Sequence, residues 1–113
     1  ENSYFEGEIN STASAAGLIG SIILAGPTVS NSYSRATMNV SGTAYGFIGG
    51  NSGTITNCFW DSDVSGITTG SAAGEYEALD NIEMIDSSIF SGAGWSSDIW
   101  YLNNGSIPKL KKY

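Results

Sequence analysis

Short runs of apolar and aromatic residues alternate with clusters of Gly, Asn, Ser and Thr along most of the chain. Runs of about four to eight residues that are rich in Tyr, Phe, Ile, Val and Thr, and bounded by turn formers, are typical of short β-strands. Between residues 31 and 57 the pattern predicts three strands, at 31–40, 44–48 and 53–57. It therefore predicts an all-β protein for most of the chain.

The strand pattern repeats. Residues 2–20 align without a gap with residues 31–49, at an offset of 29, and eight of the nineteen positions are identical. A third unit opens at Asn57, 26 residues after Asn31. Three strands and three corners in each unit predict about three coils of a short parallel β-solenoid. The predicted repeats occupy residues 1–69, with units starting at 2, 31 and 57, and a C-terminal cap occupies residues 70–113.

Strand parity divides the first strand of each unit into two faces. The face predicted to point inward is mostly small or apolar and comprises Ser3, Phe5, Gly7, Ile9, Ser32, Ser34, Ala36, Met38, Cys58 and Trp60. The face predicted to point outward comprises Tyr4, Glu6, Glu8, Tyr33, Arg35, Thr37, Phe59 and Asp61. This assignment predicts an exposed aromatic ladder of Tyr4, Tyr33 and Phe59, and an exposed ion pair between Glu6 and Arg35.

After residue 69 the pattern changes to one typical of a terminal cap. Apolar residues between 79 and 89 have helical spacing, and Asp80 with Glu83 three positions later resembles a capping box. These features predict a short helix over 81–87. A strand over 99–102, a turn at 103–105 and an extended tail over 107–110 are predicted to follow. Such a segment would cover the last open coil.

Gly17-Leu18-Ile19-Gly20 and Gly46-Phe47-Ile48-Gly49 resemble the GLUG motif of bacterial and archaeal surface proteins, among them large adhesins. Residues 46–66, GFIGGNSGTITNCFWDSDVSG, are similar to the usual context of that motif, GLVGYNSGTITNCYWDTxTSGQ. Residues 79–110 resemble the usual end of such arrays, with a short helix, Gly94-Trp95 and Pro108-Lys109-Leu110. The resemblance implies an exported β-solenoid of a cell-surface protein, and it implies no catalytic site.

The amino-acid composition further restricts the classes of function that the protein could have. Only 13% of the 113 residues are charged, the formal net charge is −7, and there is no His. An acidic surface argues against nucleic-acid binding, and the absence of His removes the usual general base and metal ligand. No apolar run of about 18 residues is present, so no membrane span is predicted. We expect an extracellular protein, secreted or at the cell surface.

Asp61-Ser62-Asp63-Val64-Ser65-Gly66 resembles the first half of a calcium loop. Asp61, Asp63 and Ser65 are therefore candidate calcium ligands, although the twelfth position is Ala72 rather than an acid. The alternative is a polar turn in which the Asp side chains accept hydrogen bonds from backbone N–H groups. No other cofactor is expected.

Other candidate sites have structural alternatives. Trp60, Trp95, Trp100 and Tyr101 could stack on sugar rings, but large rings are also the best filler for a thin core. Asp61 with Asp63, or Glu75 with Glu77, could act as a glycosidase pair, but neither a long groove nor basic residues accompany them. Cys58 falls at the position of Ser3 and Ser32 and is predicted to be a buried thiol rather than a nucleophile. We therefore expect that the protein is not an enzyme.

Two functions remain open. The first is a non-catalytic structural or adhesive module whose open first coil pairs with other copies or with upstream repeats. The second is a carbohydrate- or host-ligand-binding module that uses Tyr4, Tyr33 and Phe59. Asn10, Asn39 and Asn104 begin N-x-Ser/Thr triplets and are candidate glycosylation sites in an exported chain.

Overall fold

The structure is a computed structural model that describes residues 1–68 and 76–112. The first repeat contains β1 (Tyr4–Ser11), β2 (Ala15–Ala16), β3 (Ile19–Ile22) and β4 (Thr28–Ser30), and the second contains β5 (Tyr33–Val40), β6 (Ala44–Tyr45), β7 (Ile48–Asn51) and β8 (Thr54–Thr56). They are followed by β9 (Cys58–Asp61), α1 (Ser62–Ser65), β10 (Tyr76–Leu79), a 3₁₀ turn (Glu83–Ile85), α2 (Ser87–Gly92), β11 (Trp100–Tyr101) and β12 (Lys109–Leu110). The predicted boundary at 69/70 and Glu75 lie outside the described residues.

Strands at equivalent positions of successive repeats pair in parallel. β1, β5, β9 and β10 form a four-stranded sheet in that order, and β2–β6, β3–β7 and β4–β8 form two-stranded sheets. Tyr4 lies opposite Tyr33 and Tyr33 lies opposite Phe59. The fold is thus mainly β with short parallel sheets. The predicted parallel pairing of equivalent strands is confirmed, with the offsets that the sequence alignment indicates.

The number of strands in a repeat differs from the prediction. The segment predicted as one strand over 44–48 is interrupted at Gly46 and Phe47, so each of the first two repeats has four short strands. A Cβ on Gly46 would lie 2.2 Å from the Trp60 ring, so the backbone passes directly over that ring at the interruption. The corner also places Phe47 and Ile48, which are sequence neighbours, in the same buried cluster. Strict alternation would have sent them to opposite faces.

One hydrophobic core lies inside the repeats, on the face predicted to point inward. It comprises Phe47, Ile48, Ile55, Cys58 and Trp60. Ser32, Ser34 and Ala36 are buried on the same face, as predicted. Their counterparts in the first repeat are less buried: Phe5 is half-buried, whereas Ser3 and Gly7 are exposed. Among the described residues, β1 pairs on one side only, which accounts for this difference.

A second core lies on the opposite face, and it corrects the predicted exposure of that face. Tyr33, Phe59, Leu79, Met84, Phe90, Trp95 and Trp100 form one buried cluster. Tyr33 and Phe59 are 0% and 5% exposed, and Asp61 is also buried. The prediction failed because strand parity separates the two faces of a strand but does not show what packs on each. Here the C-terminal segment, residues 80–112, covers the outer face and buries its own large rings there.

The helix in the C-terminal segment starts later than predicted. Asp80 Oδ1 accepts hydrogen bonds from the N–H groups of Ile82 and Glu83, but the turn it caps is a 3₁₀ turn of three residues. Asp86 is extended and caps α2 by accepting from Ser88 N at 2.9 Å. Two successive Asp caps therefore divide the predicted helix. The predicted strand, turn and extended tail that follow are confirmed by the antiparallel pair β11–β12 and by the hydrogen bond from Ser106 N to Asn103 O.

Each repeat begins with an Asn in the left-handed region. The φ angles of Asn2, Asn31 and Asn57 are 54°, 50° and 53°. Asn tolerates this conformation better than most residues that carry a Cβ. Asn2 N donates to Ser30 O and Asn31 N donates to Thr56 O, so these two Asn residues contact the residues that end their own repeats. The recurrence of Asn at these positions thus has a conformational cause.

Within the described ranges, none of the helices has the length and apolar character that crossing a membrane requires.

Candidate functional site

The aromatic ladder predicted as a ligand surface is an internal contact. The rings of Tyr4 and Tyr33 stack at 5.0 Å with an interplanar angle of 8°. Tyr33 OH has one proton, which it shares between Pro108 O at 2.8 Å and Glu6 Oε1 at 3.1 Å. Burial, reinforced by the nearby Glu6 carboxylate, raises the pKa of Tyr33 well above its usual value. Tyr33 and Phe59 are therefore closed to a ligand in this structure, and Tyr4 is half-buried beneath Lys109.

The tryptophans join the C-terminal segment to the starts of the repeats. Trp100 Nε1 donates to Asn2 Oδ1 at 3.2 Å, and Trp95 Nε1 donates to Asn57 O at 2.9 Å. The Trp95 and Trp100 ring centroids are 4.5 Å apart, and both residues are buried. Trp60 packs in the inner core. Of the four aromatics considered as a sugar platform, Tyr101 is the exposed one. Core filling, the structural alternative, describes the three tryptophans.

Asp61, Asp63 and Ser65 have hydrogen-bonding roles around α1. Asp61 Oδ1 accepts from Val64 N, and Ser65 Oγ donates to Asp61 O at 2.7 Å. Asp63 Oδ2 accepts from Asn81 N, which links α1 to the C-terminal segment. Within residues 1–68 and 76–112 no three His, Cys, Asp or Glu residues come together as a metal-binding group. The arrangement corresponds to the polar-turn alternative, and calcium binding stays a prediction.

The ion pairs differ from the one predicted. Glu6 and Arg35 are opposite each other in the register of β1 and β5, as the alignment indicates. Arg35 Nε nevertheless contacts Asp61 Oδ2 at 3.0 Å, and Glu6 pairs with Lys109. The predicted Glu6–Arg35 pair is wrong because each side chain finds a partner elsewhere. Arg35 reaches the fully buried Asp61 side chain, and Glu6 reaches the C-terminal segment.

Cys58 lies inside the repeats, as predicted. The residue is 1% exposed and has no disulfide partner. Its thiol contacts Thr56 O at 3.3 Å. Burial raises the pKa of the Cys58 thiol to about 11, so the protonated form dominates at neutral pH. A protonated, inaccessible thiol is a poor nucleophile.

The three candidate glycosylation sites are all exposed. Two of them lie side by side, because Asn10 is opposite Asn39 in the β1–β5 register. Asn39 Nδ2 donates to Asn10 Oδ1 at 3.0 Å and to Glu8 Oε1 at 2.8 Å. Asn104 lies in the turn between β11 and β12. Glycosylation itself stays a prediction.

An open cavity of about 440 Å³ lies between β9, β10 and α2. Its lining comprises Asn57, Cys58, Phe59, Tyr76, Glu77, Ile89 and Ala93. Among these described residues Glu77 is the one carboxylate, and none is a cation or a His. General acid–base hydrolysis of a glycoside uses two carboxylates, and covalent catalysis needs a nucleophile with a neighbouring base. The lining residues offer neither arrangement.

Comparisons with known proteins add no family to this description. No family model matches the chain. Searches of curated proteins and of solved structures gave no match either.

Proposed function

We propose that the chain is a non-catalytic structural module of an extracellular surface protein. Its repeats act as coils of a short β-solenoid similar to GLUG-type repeats, and its C-terminal segment closes one side of them. The observation that carries this proposal is that the chain's large aromatic and polar side chains make contacts between its own segments. Tyr33, Trp95 and Trp100 join the repeats to the C-terminal segment, rather than converging on a ligand cavity.

One glycine of each Gly-apolar-apolar-Gly segment, Gly17 in the first repeat and Gly49 in the second, supports coil stacking. A Cβ on Gly17 would lie 2.1 Å from Gly46 O, so this glycine permits close approach of the following repeat. A Cβ on Gly49 would lie 2.4 Å from Gly20 O, so this glycine permits close approach of the preceding repeat. Real Cβ atoms do not come this close to backbone oxygen atoms. Close approach of neighbouring coils therefore explains these two glycines of the motif without any ligand.

The alternative function, carbohydrate or host-ligand binding, has weaker support. It relied on an exposed ladder of Tyr4, Tyr33 and Phe59, and two of these rings are covered. Tyr4 is half-buried and Tyr101, at 54% exposure, lies apart from the ladder on β11. Stacking on sugars needs open ring faces, so a structural role is the better proposal.

A glycan array tests the choice between the two functions. We expect the folded chain to show no saturable binding to any glycan on the array. Saturable binding that Tyr4→Ala abolishes, and that the matched Tyr101→Ala variant retains, would replace the structural proposal with the carbohydrate-binding one.

The extracellular location needs a separate test. An antibody against the chain should label intact source cells, whereas labelling that requires cell lysis would contradict a surface location.

A further inference from the structure

Three glycines of the second repeat lie against the first repeat. A Cβ on Gly42 would be 2.6 Å from the carbonyl carbon of Ala13. A Cβ on Gly49 would be 2.4 Å from Gly20 O, and one on Gly53 would be 2.4 Å from Pro27 O. None of the three has a positive φ, so the close approach of the neighbouring repeat, rather than backbone strain, demands glycine at each position. The face that the second repeat presents to the first is therefore adapted to being covered.

The first repeat carries different residues on the equivalent face. Ser11 lies opposite Val40 and Ala15 lies opposite Ala44, so Ala13 takes the position of Gly42. Thr28 lies opposite Thr54, so Pro27 takes the position of Gly53. The position equivalent to Gly49 is also a glycine, Gly20, and a Cβ added to Gly20 would meet nothing within 4 Å. Two of the three close-approach glycines are thus replaced by residues that carry a Cβ.

Other features of this face also disfavour strand pairing. Glu6 and Glu8 are exposed on β1, and charged side chains on an edge strand discourage pairing with another strand. Pro27, which directly precedes β4, has no N–H to donate. The loop between β3 and β4 projects Ile23 and Leu24, which are 81% and 69% exposed. The second repeat has no comparable projection, because residues 52–53 close the corner that residues 23–27 form in the first repeat.

We infer that the first repeat ends the stack on its side: its face rejects a further coil in the register that joins the first two repeats. This inference rests on the proposed function, since it assumes that the repeats act by stacking. A coil laid on the first repeat would meet the Ala13 and Pro27 side chains at two corners, at separations that its backbone cannot accept. The inference is opposite to the expectation, drawn from sequence alone, that this face recruits another copy or an upstream repeat.

The test adds a coil. A second copy of residues 2–30 is inserted before Asn2 of the full chain, once with the original repeat unchanged and once with Ala13→Gly and Pro27→Gly in the original repeat. Limited proteolysis followed by mass spectrometry then measures how fast the inserted copy is removed. We expect removal to be at least about tenfold faster from the unchanged chain, because cleavage follows the population of the undocked segment. Equal protection of the inserted copy in both chains would overturn the inference.

A variant of the natural chain separates failure of this inference from failure of the proposed function. Gly42→Ala puts a Cβ against the first repeat, so it should accelerate proteolysis of residues 2–30 without any inserted coil. If Gly42→Ala accelerates proteolysis and the inserted copy is nevertheless protected in the unchanged chain, the inference about the first repeat fails and coil stacking stands. If Gly42→Ala leaves proteolysis unchanged, the stacking function itself fails.

Discussion

At the scale of single residues, buried polar side chains differ in whether they have partners. Ser32 Oγ donates to Ser30 O at 2.9 Å and accepts from Ser3 N at 3.1 Å. Ser34 Oγ, two positions later on the same face, is buried with no hydrogen-bond partner among the described residues. A buried polar atom without a partner costs about 1–3 kcal/mol of stability. The two serines therefore contribute to the free energy of unfolding with opposite signs.

Ser34→Ala should leave the free energy of unfolding unchanged or raise it by about 1 kcal/mol, because it removes an unsatisfied hydroxyl. Ser32→Ala is the matched control and should lower it by about 1 kcal/mol, because it leaves Ser3 N without its acceptor. Urea unfolding measures both variants. A loss of more than about 1 kcal/mol in Ser34→Ala would contradict the assignment of Ser34 as unsatisfied.

Tyr33 makes the fold sensitive to alkali. Its pKa is raised in the folded state, first by burial and then by Glu6, above the usual value of about 10. The stabilisation is therefore complete below about pH 10 and is lost as the pH rises above that value, because the unfolded state releases the proton first. Tyr33→Phe should flatten the fall in stability above about pH 10, measured by unfolding at a series of pH values. An unchanged slope would show that Tyr33 is not buried as described.

Cys58 should resist thiol reagents in the native protein at neutral pH. Its pKa of about 11 and its burial both remove the reactive thiolate. Labelling should become fast only in denaturant, which mass spectrometry follows over time. Rapid labelling without denaturant would contradict the position of Cys58 inside the repeats.

At the scale of elements, the C-terminal segment stabilises the fold by covering the outer face of the four-stranded sheet. Trp100 on β11 is fully buried and bonds to Asn2, whereas its neighbour Tyr101 is 54% exposed. Lys109 on β12 pairs with Glu6 of β1. Residues far apart in sequence thus join the first repeat to the end of the chain.

Trp100→Ala should lower the free energy of unfolding by about 3–5 kcal/mol, since it removes a large buried ring. Tyr101→Ala, one position later, should change it by less than about 0.5 kcal/mol. Both are measured by urea unfolding. Equal effects of the two substitutions would contradict the docking of the C-terminal segment on the sheet.

The sequence predicted which strands pair with each other better than it predicted which segment covers the sheet. The Asn, Tyr and Gly identities at a fixed offset determine which strands are neighbours, so the register of β1 and β5 followed from the alignment. The burial of Tyr33 and Phe59 did not, because it depends on a segment that docks from far along the chain. The helix start was misplaced because Asp80 and Asp86 are both good caps and their local signals compete. The corner at Gly46 depends on the Trp60 ring below it, which no local pattern shows.

At the scale of the whole molecule, most of the residues considered as ligand-binding candidates make contacts between different parts of the chain. The outer aromatic ladder packs against the C-terminal segment, and the aspartates considered for calcium cap α1 or bond to Asn81. The close-approach glycines then indicate which faces of the repeats are covered. This pattern is why stacking, rather than ligand binding, is the central proposal.

The most direct test of stacking compares Gly49→Ala with Gly20→Ala by urea unfolding. The two glycines occupy equivalent positions of successive repeats, but a Cβ on Gly49 would lie 2.4 Å from Gly20 O, and one on Gly20 would meet nothing within 4 Å. We expect Gly49→Ala to lower the free energy of unfolding by about 2 kcal/mol or more, and Gly20→Ala to change it by less than about 0.5 kcal/mol. Equal effects of the two substitutions would show that the repeats do not stack as described, and would contradict the account.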